Sequence, residues 1–244
     1  MKTVLLTRSE EQNRFFNSGL AESDVSVLSK PLLQFSAYPF TEEVKKKVID
    51  LDRFDHIVFV SQNAVRYGLP HLQDYWPQWP EGLMWYAVGP ATALRLGDWN
   101  ISAIVPETAS SEGLLALKEL TAPEKVLIVR GVGGRELLRE SLISRGAEVD
   151  YLEVYQRILV PYQEKFDLDA DSEIIVTIYS GEAMKRCAEL IDNLECCTLV
   201  VPSMRLQTMA FEIGFDKVCL AASQRDEAML ETILQVISGV NFPG

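Results

Sequence analysis

The sequence has few of the residues from which metal centres and histidine-activated nucleophiles are built. Its 244 residues include four cysteines and two histidines, and the histidines are His56 and His71. The cysteines all lie in the last quarter of the chain and show no C-x-x-C spacing, so we expect no metal site. We expect the thiols to be small apolar core residues of a protein from a reducing cytoplasm.

The sequence also lacks long apolar runs and an excess of positive charge. No run approaches the roughly 18 apolar residues of a membrane span, and residues 1–8 are predicted to form a first strand instead of a signal peptide. The formal net charge is −12, which argues against nucleic acid as a partner. A small anionic ligand is still compatible with this charge, because backbone N–H groups and a few arginines form a locally positive site. Without a long apolar seam, we expect a monomer.

Short apolar runs recur along the whole chain and alternate with helical patterns. Such runs are typical of parallel strands that are covered by helices on both faces, so the sequence predicts an α/β fold. Residues 241–244 are expected to be frayed. The predicted strands are residues 3–6, 25–28, 57–60, 85–88, 101–105, 126–129, 149–155, 174–178, 198–201 and 217–220.

The two halves of the chain share a pattern. Ser61 and Ser180 follow corresponding apolar runs, and Pro90 and Pro202 follow the next pair. An internal duplication explains this pattern and predicts two lobes with a cleft between them. Chance similarity between two α/β halves is the alternative.

A strand, a glycine turn and a helix are predicted over residues 126–145, followed by a second strand that ends at Tyr155. The turn resembles the dinucleotide fingerprint G-x-G-x-x-G, and Glu153 stands about where its ribose-binding acid is found. However, Glu136 occupies the third glycine position, where a side chain hinders helix packing. We therefore keep a nucleotide-binding oxidoreductase as a second alternative, and Gly131 and Gly133 as candidates for binding a carboxylate through backbone N–H groups.

Hydroxyl residues follow several of the predicted strands, at positions where helices begin. Ser61, Ser180, Thr92 and Ser203 are each predicted to cap a helix, and the same geometry allows them to bind an anion. Tyr155 is either an aromatic residue at a strand end or a general acid that donates a proton to a departing hydroxyl.

Taken in order, these segments resemble the uroporphyrinogen-III synthase family along essentially the whole chain. The matching segments are TR at 7–8, FVSQNAV at 59–65, AVGPATA at 87–93, SEGLL at 111–115, RGVGGREL at 130–137, RGA at 145–147, VYQR at 154–157 and SGE at 180–182. The resemblance implies two flavodoxin-like lobes, one of residues 1–34 with 160–244 and one of residues 37–155. Two linker strands, near 33–36 and 156–159, are expected to join them.

The resemblance also implies a reaction, the cofactor-independent cyclisation of hydroxymethylbilane to uroporphyrinogen III in haem and sirohaem biosynthesis. Ring D is inverted and water is lost. Tyr155 matches the tyrosine expected to assist the departing hydroxyl, whereas Met204 and Arg205 stand where some relatives have small hydroxyl residues. A non-catalytic two-lobed binding module is the main alternative. The residues expected to bind the substrate are Arg8, Ser61, Gly89, Thr92, Gly131, Gly133, Ser180 and Ser203.

Overall fold

The computed structural model describes residues 2–168 and 172–239, and the expected fraying of residues 241–244 lies outside them. The chain divides into two compact units. Unit 1 comprises Met1–Gln34 and Ile158–Gly244, and unit 2 comprises Phe35–Arg157. Unit 1 is therefore built from two separate stretches of chain.

Ten strands and nine α-helices are found in the described residues. The strands are β1 Lys2–Leu6, β2 Val25–Ser29, β3 Leu33–Ala37, β4 His56–Phe59, β5 Met84–Ala87, β6 Lys125–Gly131, β7 Glu148–Leu159, β8 Glu173–Thr177, β9 Cys197–Val201 and β10 Lys217–Leu220. The helices are α1 Glu10–Gly19, α2 Glu42–Ile49, α3 Gln62–Tyr75, α4 Pro90–Gly97, α5 Ser111–Leu115, α6 Leu137–Ser144, α7 Gly181–Leu190, α8 Met204–Ile213 and α9 Asp226–Ile237.

The sheet of unit 1 has the strand order β10-β9-β8-β1-β2, and its strand pairs are parallel. Numbered along the unit, this is the flavodoxin-like order 2-1-3-4-5. Successive residues of β1 face opposite sides, so Leu5 packs with α7 and α8 whereas Val4 and Leu6 pack with α1 and α9. Both faces of the strand are buried, which explains its continuous apolar sequence.

The sheet of unit 2 has the strand order β3-β7-β6-β4-β5, with β5, β4, β6 and β7 paired in parallel. Helices α2, α3 and α4 cover one face around Leu127 and Val129. The opposite face, around Val126 and Ile128, packs against α5 and α6. The chain passes between the units inside β3 and β7, because the unit boundaries fall after Gln34 and Arg157.

The predicted strands are present with one exception, the run at residues 101–105. There only Ile104 forms a bridge, to Tyr86 of β5. The amide of Ile104 donates to Trp85 O and its carbonyl accepts from Ala87 N–H. Pro106 has no N–H to continue the ladder, so the run contacts the sheet edge at one residue and the strand prediction is wrong.

The cysteines occupy the positions expected of small apolar residues. Cys187, Cys197 and Cys219 are buried and Cys196 is half-buried, all as free thiols. Burial raises the pKa of the Cys187 thiol to about 12 and that of Cys219 to about 11. These thiols therefore pack as neutral groups at neutral pH.

Candidate functional site

Serines cap helices at the carboxyl ends of parallel strands in both units. Ser61 follows β4, Ser180 follows β8, and Ser203 follows β9. Each hydroxyl accepts a hydrogen bond from the backbone N–H three residues later, over 3.0, 3.2 and 3.4 Å respectively. This is the N-cap geometry that the sequence predicts.

In unit 2 one of these caps also contacts a phenol. Tyr155 Oη lies 3.0 Å from Ser61 Oγ, and either hydroxyl can donate. Ser61 Oγ also accepts from the Ala64 amide. The Tyr155 hydroxyl is therefore linked through Ser61 to the N-terminus of the 14-residue helix α3.

A β-bulge and a glycine make room for this tyrosine. Along β6 and β7 the register passes from Arg130 opposite Glu153 to Gly131 opposite Tyr155, so one residue of β7 is skipped. A Cβ atom on Gly131 would lie 2.5 Å from the nearest atom of the Tyr155 ring. The neighbouring Val132 N–H donates to Tyr155 O over 2.8 Å. Gly131 is thus required for the close approach of the ring, as well as being a candidate binding residue.

Two further aromatic residues position the Tyr155 ring. Tyr67 of α3 stacks on it with a centroid distance of 5.9 Å, and Phe35 of β3 meets it edge to face at 5.5 Å. The Tyr67 hydroxyl donates to the carbonyl of Phe35 over 3.0 Å. Sequence patterns did not identify these two residues, because their contacts join segments far apart in the chain.

The glycine turn after β6 is organised by a buried arginine that the sequence patterns did not single out. The Arg130 side chain is 6% exposed and donates to the carbonyls of Gly131 and Gly133 and to Glu136 Oε1. Gly133 and Gly134 adopt φ of +75° and +101°, values that favour glycine. An arginine at the end of an otherwise apolar strand was the available signal.

Glu136 is a structural residue of this turn. Its carboxylate accepts from Tyr151 Oη over 2.7 Å and pairs with Arg130. The Tyr151 hydrogen bond is the main cause that holds the pKa of Glu136 below its usual range, with a smaller contribution from Arg130. Burial and the same carboxylate raise the pKa of Tyr151 to about 12. Glu136, at the third glycine position, thus stabilises the turn. A dinucleotide fingerprint has glycine there, so the turn does not match it.

Gly89 and Thr92 lie at the N-terminus of α4, directly after β5. A Cβ atom on Gly89 would approach Ala109 Cβ to 2.8 Å, so the backbone needs glycine here. The prediction that Thr92 caps a helix is wrong, because Gly89 is the N-cap residue of α4 and Thr92 lies inside the helix. Thr92 is 4% exposed and therefore presents little surface to a ligand. Because β5, β4, β6 and β7 are neighbours, Gly89, Ser61, Gly131 and Tyr155 follow one edge of the sheet.

In unit 1 the candidate arginine is already paired. Arg8 Nη1 lies 2.5 Å from Asp226 Oδ1, and its guanidinium lies over the Tyr179 ring at 4.6 Å. The Tyr179 hydroxyl is buried without a hydrogen-bond partner among the described residues, and burial raises its pKa. Arg8, Ser180 and Ser203 follow the neighbouring strands β1, β8 and β9, so the structure places them along one sheet edge.

Neither a metal site nor a membrane-spanning helix is found in the described part of the chain. Within residues 2–168 and 172–239, no group of three or more histidine, cysteine, aspartate or glutamate residues has the geometry to hold a metal ion. Over the same residues, no helix combines the length and apolar character needed to cross a membrane.

Curated relatives match nearly the full chain. The uroporphyrinogen-III synthase of Escherichia coli (strain K12) is 30% identical over 244 residues, which cover 95% of this chain and 99% of that protein. The Salmonella typhimurium enzyme is 31% identical over 245 residues with the same coverage. Both relatives are thus matched over almost their whole length.

Solved structures show the same fold. Uroporphyrinogen-III synthetase from Helicobacter pylori 26695 superposes with a TM-score of 0.62 at 18% identity, covering 97% of this chain and all of that one. A mutant uroporphyrinogen III synthase from Thermus thermophilus gives a TM-score of 0.58 at 14% identity, covering 98% of this chain and all of that one. The family model "Uroporphyrinogen-III synthase HemD" matches residues 2–231. The chain belongs to the uroporphyrinogen-III synthase family.

Proposed function

We propose that this protein cyclises hydroxymethylbilane to uroporphyrinogen III, inverting ring D and releasing water. The observation that carries the proposal is the Tyr155 hydroxyl, which is held 3.0 Å from Ser61 Oγ at the carboxyl edge of a parallel sheet. Ligands and reactions collect at this edge in α/β proteins. A non-catalytic binding module has no need of a phenol fixed in this way.

The substrate supplies both reacting groups, so the protein needs no cofactor in this proposal. Loss of the protonated terminal hydroxyl as water leaves an electrophilic azafulvenium cation, which the substituted carbon of ring D attacks to form a spiro intermediate. That intermediate fragments and closes again with ring D inverted. The protein's tasks are to protonate the departing hydroxyl, hold the chain folded and exclude water. We assign the proton transfer to Tyr155.

The substrate is a polyanion, and both units offer groups that bind carboxylates. In unit 2 we assign backbone groups at Gly89, Gly131 and Gly133, with Thr92 as a lining residue that must gain exposure. In unit 1 we assign Ser180, Ser203 and Arg8. Since Asp226 already neutralises Arg8, we expect a substrate carboxylate to share or displace that partner. We assign Ser61 to holding the Tyr155 phenol, to which it is hydrogen-bonded.

The domain organisation follows from the same proposal. We propose that residues 1–34 with 160–244 and residues 37–155 act as two lobes, with residues 33–36 and 156–159 as linker strands. We also propose that the enzyme, a lyase, works as a monomer. Its free thiols suit a reducing cytoplasm.

The test is incubation of the purified protein with freshly generated hydroxymethylbilane, followed by oxidation and separation of the porphyrin isomers. We expect the type III isomer, at a rate proportional to protein concentration. Formation of the type I isomer alone, which is the spontaneous product, contradicts the proposal. Saturable binding of the bilane without any type III product would instead support the binding-module alternative.

A further inference from the structure

The hydrogen bonds around Ser61 suggest a role different from that of the other two capping serines. Ser61 Oγ has two protein partners, the Ala64 amide at 3.0 Å and Tyr155 Oη at 3.0 Å. By contrast, the described contacts of the Ser180 and Ser203 hydroxyls are to their own helices. Of these three serines, Ser61 is the one whose described contacts connect a helix N-terminus to a phenol.

The direction of the hydrogen bonds matters for the chemistry. A serine hydroxyl has one proton and two lone pairs, and one lone pair of Ser61 is taken by the Ala64 amide. If Ser61 donates its proton to Tyr155 Oη, the phenol proton is free to point at a ligand. If Tyr155 donates to Ser61 instead, the phenol proton is held by the serine.

We propose that Ser61 is a positioning residue that donates to Tyr155 Oη and thereby directs the phenol proton to the hydroxyl of the substrate. The Ala64 amide polarises the serine, and the serine polarises the phenol, because hydrogen bonds in a chain strengthen one another. The N-terminus of α3 carries a partial positive charge and favours negative charge on the phenol oxygen. This inference rests on the proposed function and deepens it.

The proton that Tyr155 gives up is returned later in the cycle. Tyr155 Oη–H transfers its proton to the substrate hydroxyl, and the carbon–oxygen bond breaks with its electron pair remaining on oxygen, so water departs. The phenolate that forms accepts the Ser61 hydrogen bond, and Ser61 keeps its proton. When the macrocycle later loses a proton to restore its pyrrole, the phenolate takes that proton back.

Substitutions at Ser61 separate the positioning role from helix capping. Ser61→Thr keeps a hydroxyl that both caps and donates. Ser61→Asp keeps the cap, because aspartate is as good an N-cap as serine, but its carboxylate cannot donate and holds the phenol proton. We expect Ser61→Thr to stay within a few-fold of the wild-type kcat. We expect Ser61→Asp to lose about 100-fold in kcat, the usual cost of removing one donor to a developing negative charge, with little change in KM.

A matched control and a double variant complete the test. Thr41 caps α2 through the Val44 amide and is not among the described contacts of Tyr155, so Thr41→Ala reports the loss of a cap alone and should keep the wild-type kcat. If Ser61 acts through the phenol, Tyr155→Phe with Ser61→Ala should be no slower than Tyr155→Phe alone. Thermal unfolding of each variant shows that it is folded.

Several outcomes overturn the proposal. One is a wild-type kcat in Ser61→Asp. Another is a raised KM with unchanged kcat in Ser61→Asp, together with losses of kcat/KM that add in the double variant. That pattern would assign Ser61 to direct binding of a substrate carboxylate. Either result leaves the cyclisation itself intact, since wild-type protein still forms the type III isomer. Absence of that isomer from the wild-type reaction removes the proposed function and this inference together.

Discussion

The two units build the same strand–serine–helix element and differ in what stands beside the serine. In unit 2, Ser61 is bonded to Tyr155, whose ring fits above Gly131. In unit 1 the neighbouring aromatic residue, Tyr179, is turned inward with its hydroxyl buried, and the guanidinium of Arg8 covers its ring. We propose that the first arrangement supplies a proton and that the second binds substrate carboxylates.

In our proposal the same strand–serine–helix element serves two purposes. The N-cap serine is a local requirement of helix formation in either unit. The difference between the units comes from the adjacent strand of unit 2, where a bulge and a glycine bring a phenol to the cap. We therefore expect substitutions in unit 2 to change kcat and substitutions in unit 1 to change KM.

The largest combined effect on stability and activity is expected from Gly131→Ala. The new methyl group would lie 2.5 Å from the Tyr155 ring, so the ring or the strand must move. We expect a loss of about 1–3 kcal/mol in the free energy of unfolding, as for other overpacked sites, together with loss of most type III isomer formation. Gly97→Ala is the matched control, because its methyl group meets nothing within 4 Å and should leave activity unchanged. Wild-type turnover in Gly131→Ala would show that the position of Tyr155 is unimportant.

Arg8→Gln tests the binding role of unit 1. It removes a charged donor while leaving the Tyr155 site untouched. We expect KM for hydroxymethylbilane to rise about tenfold, the value of roughly 1.4 kcal/mol of binding, with kcat nearly unchanged. Steady-state kinetics at several bilane concentrations separates the two constants. A fall in kcat without a change in KM would contradict the expectation that substitutions in unit 1 act on KM.

Asp226→Asn tests whether the ion pair with Asp226 limits the binding of substrate by Arg8. The neutral amide weakens an ion pair whose side chains are 25% and 33% exposed, which costs about 1 kcal/mol of stability. A less restrained Arg8 should bind a substrate carboxylate more readily, so we expect KM to fall by a few-fold. If KM rises instead, Asp226 is needed to hold Arg8 in its binding position.

The smallest effect is expected from Glu136→Gln, which removes the carboxylate that stabilises the glycine turn. Because the folded-state pKa of Glu136 is held below its usual 4.5, its contribution to stability is present above that value and is lost as the pH falls through the folded pKa. The carboxylate is largely exposed, so the contribution should stay under about 1 kcal/mol. Urea unfolding of wild type and Glu136→Gln should differ at pH 7, and the difference should disappear as the pH falls through the folded pKa of Glu136. A difference independent of pH would mean that ionisation of Glu136 does not matter.

Much of the fold was predictable because both faces of each sheet are buried. Continuous apolar runs such as 126–129 and 198–201 identified the strands, and the residues after them identified the helix caps. The run at 101–105 has the same composition, but its pairing depends on an edge position and on Pro106, neither of which a local pattern reveals. The division of unit 1 into two stretches of chain is also invisible to periodicity.

The sequence predicted the residues of the candidate site but not the contacts between them. Tyr155, Ser61 and Gly131 were each identified, yet the hydrogen bond between the first two depends on a one-residue bulge. The enclosing residues Phe35 and Tyr67 depend on packing between distant segments. The predicted helix-capping role of Thr92 failed, because α4 begins at Pro90 and Thr92 is already inside the helix, where it is buried.

The phenol of Tyr155 is the group on which the proposed reaction depends most, because it is assigned the proton that the departing hydroxyl needs. Its most direct test is a single-turnover measurement, with protein in excess over hydroxymethylbilane, that compares wild type with Tyr155→Phe. We predict that type III isomer formation slows by about 100-fold or more, the usual contribution of a general acid, while the protein concentration needed for half-saturation changes little. An unchanged single-turnover rate would contradict this assignment and leave Tyr155 as a packing residue.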